Sequence, residues 1–294
     1  MSSPEKHPAS PKAKLRARRA LSQNFLVDDA IADRMAASMP LKPGDVVYEI
    51  GAGKGFITER LVATGATVWA IEKDRRLYGM LKKKFPPRSG VQLHHVDILD
   101  LPAAAEPPAG CWLVGNLPFG IGHAILAWAF ERRQRFRGAV VTLQREVVTR
   151  LLAPPETRAR SSASIWFQAR ATGKTLFDIP PRAFVPPPRV TSTVMWIDFV
   201  PATPGVEDVP GIEYIVERAF AQKRKILANN LRNIASLSAN DWDRLQRDCG
   251  DLLRKRAEAL RADEFVRLAR VLALGSEGFP GSDPAGKPGG RIRT

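Results

Sequence analysis

Residues 113–122 read LVGNLPFGIG, an apolar run that stops at Asn116 and is followed by Leu117, Pro118 and Phe119. These residue types suit one difficult reaction. The amino group on an adenine or cytosine ring is a poor nucleophile, because its lone pair is delocalised into the ring. An amide oxygen from Asn116 and the backbone carbonyl of Leu117 could accept its two N–H bonds, localise the lone pair and hold it in line with a methyl donor. Pro118 would fix the turn that aims the Leu117 carbonyl inward, and Phe119 would offer a face on which an extruded base stacks. By itself the tetrapeptide also reads as a plain Asn-Pro turn closing a strand.

Three earlier strand ends carry matching polar groups. YEIGAGKGFIT places Glu49, Gly51, Gly53 and Gly55 between an apolar strand and a helix, where missing Cβ atoms let a ligand approach the backbone. The next strand ends in AIEKD, putting Glu72 about 20 residues beyond the glycines, where an acid can accept both hydroxyls of a ribose. The third ends in HVDIL, whose Asp97 could accept an adenine amine while Ile98 supplies backbone polarity. A tight turn at the glycines and a turn-forming role for Asp97 account for either motif alone. With Asn116 at the fourth strand end, the groups fall on one edge of a sheet, where open parallel sheets bind ligands.

The elements that must position these groups alternate between strand-like and helical patterns from DVVYEIG to REVVTRLLA, which predicts an α/β fold, a Rossmann-like parallel sheet wrapped by helices. SASIWFQARAT and STVMWIDFV both read as strands, giving an antiparallel pair at the end of the sheet. PATPGVEDVPG reads as a linker, and EYIVERAFAQKRKILANNL, SANDWDRLQRDCG and RADEFVRLARVLAL as helices of a smaller second domain. The expected organisation is a flexible basic arm over 1–20, a catalytic domain over 21–204, an all-helical domain over 205–274 and a disordered Gly/Pro-rich tail over 275–294.

Lysine and arginine total 45 against 30 aspartates and glutamates in 294 residues, a net charge of +15, and the sequence pI is near 10.3. That balance favours a polyanionic partner, nucleic acid first. Basic clusters recur at Arg16, Arg18 and Arg19, at Lys82–Lys84, at Arg132–Arg137, at Lys223, Arg224 and Lys225, and at Arg254–Arg256. No apolar run approaches the roughly 20 residues of a spanning helix, and no signal-peptide apolar region is visible, so a cytoplasmic protein without membrane partners is expected. The two cysteines and four histidines lack ligand spacing, so no metal is expected.

In this setting the chain resembles the S-adenosylmethionine-dependent ribosomal RNA adenine N6-dimethyltransferases. The resemblance is carried by SQNFLVD at 22–28, EIGAGKG at 49–55, IEKD at 71–74, VDIL at 96–99, NLPF at 116–119 and FVPPPRVTS at 184–192, which cover nearly the whole catalytic domain in the family's order. It implies S-adenosyl-L-methionine as cofactor, held by Gln23, Asn24, Leu26, Gly51, Gly53, Glu72, Asp97, Ile98 and Asn116. Gln23 and Asn24 would meet its methionine part, Glu72 its ribose and Asp97 its adenine. It also implies Asn116, Leu117, Pro118, Phe119 and Phe184 at the target base, Phe184 being a second aromatic wall.

AFAQKRKILANNL and KRAEALRADEFVRLARVL resemble the C-terminal helices of the housekeeping branch, which dimethylates two adjacent adenines in the 3′-terminal hairpin of small-subunit rRNA. That implies rRNA or a pre-ribosomal subunit as partner of a monomer, met by Arg16, Arg18, Arg19, Lys223, Arg224, Lys225 and Arg232. Ser22, where the family commonly has Gly, and Phe119-Gly120-Ile121, where it has Tyr-Asn-Ile, lean toward the macrolide-resistance branch acting on large-subunit rRNA. Two further readings are a non-catalytic RNA-binding assembly factor and a nicotinamide-dependent oxidoreductase, for which NLPF has no role.

Overall fold

The computed structural model describes residues 24–200, 211–232, 234 and 237–273. The expected basic arm, the C-terminal tail, and Gln23, Arg16, Arg18 and Arg19 lie outside the described residues, as does most of the expected linker. The chain divides into two compact units. The first comprises the described residues up to Arg145 with Thr175–Trp196, and the second Glu146–Lys174 with the described residues from Ile197 onward.

In the first unit, β1 (Phe25–Leu26) precedes α1 (Asp29–Ala37), whose N-cap Asp28 accepts from the Ile31 N–H at 3.2 Å. Strands β2 (Val46–Ile50), β3 (Thr67–Ile71), β4 (Val91–His94) and β5 (Cys111–Asn116) alternate with α2 (Phe56–Ala63) and α3 (Arg75–Lys84), and β5 leads through α4 (Gly122–Glu131) to β6 (Phe136–Gln144). Their β-branched and apolar residues pair in parallel, β3 and β5 flanking β2, with Ile50 opposite both Ile71 and Gly115. The seven-stranded order is β4-β3-β2-β5-β6-β9-β7, with β7 at Thr172–Ile179 and β9 at Ser192–Asp198. Chain direction reverses its order of advance at β2, the switch point at which parallel sheets open a crevice beyond their strand ends. Val47, Val68, Val114 and Val140 from four adjacent strands gather with Ala32 and Met35 of α1 and Leu61 of α2 in one buried core. A separate two-stranded ladder joins β1 to β8 (Phe184–Val185).

SASIWFQARAT departs from its expected strand. Ser162–Gln168 form a helix, α6, and the strand follows at β7. The Ser161 N–H donates to Ser164 Oγ at 3.0 Å, and Ile165 and Phe167 are buried, so local capping and one packed face override the aromatic content that suggested a strand. The segment EYIVERAFAQKRKILANNL is also interrupted. Helix α7 (Ile212–Ala219) ends before Phe220, and a turn over 220–226 leads to α8 (Leu227–Leu231). Asn230, 3% exposed, holds that break by donating its amide to the carbonyls of Ala219 (2.8 Å) and Gln222 (3.2 Å).

The second unit also contains α5 (Arg145–Leu151), α9 (Ala239–Leu253) and α10 (Ala262–Ala273). Ile165, Ile215, Leu231, Leu245, Leu252 and Phe265 form its core. At its centre Arg160, 1% exposed, donates to the carbonyls of Leu260 (3.1 and 2.7 Å) and Ala153 (2.6 Å) and to Gln168 Oε1 (2.9 Å). One guanidinium thus satisfies carbonyls on two distant segments. Arg160→Met, which keeps bulk but removes both donors to the Leu260 carbonyl and leaves the Ala153 carbonyl with Gln168 Nε2 alone, is expected to cost on the order of 3 kcal/mol in urea unfolding. A loss below about 1 kcal/mol would mean that water or relaxation replaces the donors.

Candidate active site

The ends of β2, β3, β4 and β5 bring four of the sequence-derived groups to one edge. After β2, Gly51, Gly53 and Gly55 adopt φ of +72°, +60° and +74°, the left-handed region that favours glycine. A Cβ added at Gly51 would meet nothing within 4 Å, so this surface is open to a ligand, whereas one at Gly55 would lie 2.6 Å from the Phe85 ring. The loop needs glycine for different reasons at its two ends.

Glu72, after β3, is 5% exposed and turns back onto the same loop. Its Oε2 accepts from the Gly53 N–H at 2.8 Å and its Oε1 from the Asp74 N–H at 2.7 Å. Burial raises its carboxyl above the ordinary range against these two donors. Asp97, after β4, accepts from the Leu99 N–H at 3.2 Å and pairs with Lys73. Partial burial opposes its ionisation, but the Lys73 ammonium and the backbone donor hold it below the usual carboxylate range. Ile98 is buried beside it.

Asn116 closes β5, and its Nδ2 donates to the Asn24 carbonyl at 3.0 Å. That bond fixes the amide orientation and turns Oδ1 the other way as the acceptor. Leu117 is anchored by its N–H on Thr142 O at 3.2 Å, and the Ile121 N–H returns to Pro118 O at 3.1 Å, closing the turn that carries the half-buried Phe119. Gly115 has a steric role here: a Cβ would stand 2.8 Å from Leu117 Cδ2 and 3.0 Å from Ile50 O. Leu26 and Phe184 face each other across the β1–β8 ladder and are both buried in the core, at 6% and 2% exposure. In this conformation Phe184 packs as a core residue.

The cationic residues of the second unit assemble through a contact with no local sequence signal. An antiparallel bridge joins Ile226 to Arg256, and the Leu227 N–H donates to Lys255 O at 2.7 Å. The loop carrying the exposed Lys223, Arg224 and Lys225 therefore runs beside the chain carrying Arg254, Lys255 and Arg256. Arg232 lies 5.0 Å over the Trp242 ring. Among the described residues no group of three or more His, Cys, Asp or Glu could hold a metal ion, and no helix is long and apolar enough to cross a membrane. Cys111 and Cys249 are buried free thiols.

Sequence reasoning named Glu49 beside the glycines but gave it no role of its own. At 2% exposure it accepts from Thr58 Oγ1 at 2.6 Å, linking the end of β2 to α2. Its position at a strand end beside the glycines was the available signal. Phe25 was passed over, because its packing on Gly53 joins segments with no pattern in common.

A parallel sheet with its switch point at a glycine loop, followed by an acid at each of two strand ends and an amide-led turn at a third, belongs to the methyltransferases of Rossmann-like fold. Comparison with known proteins narrows this. The sequence model of the family described as ribosomal RNA adenine dimethylase matches residues 14–273. A protein of Thermosynechococcus vestitus named ribosomal RNA small subunit methyltransferase A is 36% identical over 264 residues, 88% of this chain and 97% of that protein. One of the same name from Geobacter metallireducens is 35% identical over 272 residues, 90% of this chain and 98% of that protein. Among solved structures, a dimethyladenosine transferase from Plasmodium falciparum shares the fold at TM-score 0.71 and 21% identity, over 83% of this chain and 95% of that one. The 23S rRNA methyltransferase ErmE does so at 0.64 and 24%, over 85% and 100%. The chain belongs to the ribosomal RNA adenine dimethylase family.

Burial pushes the Glu49 carboxyl up to about 7, against the Thr58 hydroxyl and with Glu72 repulsion adding to the rise. Its folded pKa exceeds the unfolded value, so its contribution is fully present below about pH 4.5 and is lost as pH rises through 7. Glu49→Gln, which keeps an acceptor for Thr58, is expected to flatten that fall and make the protein about 3 kcal/mol more stable than wild type at pH 8, with little difference at pH 4.5. Urea unfolding at the two pH values checks this. An equal offset at both would show that Glu49 titrates normally.

Proposed function

We propose that the protein uses S-adenosyl-L-methionine to dimethylate N6 of adenines in rRNA, specifically the two adjacent adenines of the 3′-terminal hairpin of the small-subunit RNA. The chemistry rests chiefly on one observation, the Asn116 Nδ2 held by the Asn24 carbonyl so that Oδ1 is turned away from it as an acceptor. The choice of RNA rests on the two relatives at 35–36% identity, both named small-subunit methyltransferases and matched almost end to end.

The glycine loop fits this cofactor. The open backbone at Gly51 and the two acidic side chains beside the loop, Glu49 and Glu72, suit a molecule that carries a sulfonium cation and a ribose. When bound, the cofactor supplies an electrophilic methyl group. Glu72 would accept from the ribose hydroxyls, since each carboxylate oxygen now engaged by one N–H retains a second lone pair. Asp97 and the Ile98 backbone would hold the cofactor adenine, with Asn24 and Leu26, and Gln23 ahead of them, against its methionine part.

At the target, Asn116 Oδ1 and the Leu117 carbonyl would accept the two N–H bonds of the N6 amine and Phe119 would stack on the base, while Phe184 stays in the core behind them, paired across the ladder. The amine loses a proton to solvent after each transfer, so no general base is assigned. The helical region over 205–274 would meet rRNA phosphates through Lys223, Arg224, Lys225 and Arg232, with Arg16, Arg18 and Arg19 of the N-terminal arm adding contacts. A monomer acting on a pre-ribosomal subunit in the cytoplasm accommodates these roles.

Asn116→Ala is expected to lower turnover about a hundredfold or more, a loss well beyond any it causes in cofactor affinity. Near-normal turnover, measured by methyl incorporation together with primer-extension mapping of both rRNAs, would remove the proposed role. Changing Lys223, Arg224, Lys225 and Arg232 together to Gln should weaken RNA binding and flatten its dependence on salt, because fewer counterions are released. Affinity lines of equal slope for the two proteins, compared at equal folded fraction, would assign those residues to another purpose.

A further inference from the structure

The Asn24 carbonyl that orients Asn116 is a backbone atom, so its position depends on whatever anchors residues 24–27. The ladder supplies part of the answer. Phe25 stands opposite Val185, Leu26 opposite Phe184, and the Val27 N–H donates to Ala183 O at 2.9 Å. Two strands of two residues make a weak pairing. Leu26 adds a buried side chain on one side of the segment.

The other anchor is Phe25. A Cβ built at Gly53 would lie 3.4 Å from its Cδ1 and 3.6 Å from its Cε1, so the ring rests on the glycine backbone, and Lys54 Nζ lies 5.1 Å from the ring centroid. The peptide under that ring is the one whose N–H is held by Glu72. A continuous path results, from Glu72 to Gly53, through the Phe25 ring to the Asn24 carbonyl, and on to the Asn116 amide.

We propose that Phe25 is a positioning residue for methyl transfer, docking residues 24–27 on the glycine loop so that the Asn24 carbonyl holds the Asn116 amide with its oxygen toward the target amine. This rests on the catalytic reading of Asn116. The ring fits because Gly53 has no side chain to hold it off, and an aromatic fills that space at low cost in side-chain freedom. The effect falls on transition-state geometry more than on binding, since the ring acts through a peptide on one hydrogen bond to the reacting group.

The test uses the full chain with Phe25→Ala and Phe25→Tyr. Phe25→Ala should lower kcat about tenfold to a hundredfold, with KM for rRNA changed no more than about threefold and the loss of calorimetric affinity for S-adenosylhomocysteine smaller than the loss of kcat. In the ligand-free protein, the Asn116 side-chain amide signals in a nitrogen–proton NMR spectrum should shift and their hydrogens exchange faster. Phe25→Tyr, which keeps the flat ring, should restore both readouts. An unchanged kcat, a loss that only follows the folded fraction, or unperturbed Asn116 signals would each overturn the proposal. Should Phe25→Ala not fold, Phe25→Leu, similar in bulk without the flat face, decides by the same two readouts. Turnover surviving Asn116→Ala would overturn the catalytic reading itself, whereas an inactive Asn116→Ala beside a normal Phe25→Ala would overturn this inference alone.

Discussion

The hydrogen bond from the Gly53 N–H to Glu72 Oε2, 2.8 Å long and buried, ties two adjacent strand ends into one surface. Parallel pairing of β2 and β3 brings the ends to the same level, but a glycine loop with positive φ at three positions has little stiffness of its own. A charge-assisted bond to a carboxylate supplies it. Glu72 is in turn steadied by the Asp74 N–H, and Asp74 caps α3 through the N–H groups of Arg76 and Leu77. The helix start, the acid and the loop form one hydrogen-bonded series. The Phe25 ring rests on that loop, and through it the N-terminal segment reaches Asn116.

Charge is distributed unevenly in a chain of net +15. At the strand ends Glu49 and Glu72 are both buried, and burial raises both carboxyls above their ordinary range. In the second unit the balance is reversed. The Ile226–Arg256 bridge sets two basic segments side by side on an exposed edge, where Lys255 pairs with Glu264 and Arg256 with Glu258. Acid gathers at the strand ends of the first unit and base along the bridged edge of the second. Neither distribution requires the other, and each is set by contacts inside its own unit.

The site was legible in the sequence where it is local. Glu72, Asp97 and Asn116 each close an apolar run, and strand period with turn chemistry suffices to put them on one edge. SASIWFQARAT was misread because Ile165, Trp166 and Phe167 carry strand propensity, while burial of one helical face decides the outcome. The helical spacing across 213–231 hid a break that depends on Asn230 reaching back to Ala219 and Gln222. Least legible were pairings between distant segments: β1 with β8, and residue 226 with 256. Two-residue ladders have no period to detect. Consequently the sequence could name the members of the basic clusters but not their adjacency, and could name Asn116 but not what orients it.

That orientation also accounts for an amide, and not a carboxylate, at position 116. A carboxylate could accept from the target amine as well as an amide can, and its charge would favour the cation that forms as the methyl group arrives. Its second oxygen, however, would face the Asn24 carbonyl at about the distance where Nδ2 now donates, 3.0 Å. Two acceptors at that separation repel, and the carbonyl would lose its donor. The backbone at Asn24 is fixed by the ladder and by Phe25, so it has little room to turn away. An amide meets both demands, donating to the Asn24 carbonyl behind it while keeping Oδ1 as an acceptor on its other side. The same geometry makes the Asn116 amide depend on a segment far off in sequence: the two-residue ladder, the buried Leu26 and the Phe25 ring on Gly53 together place the carbonyl that accepts from Nδ2.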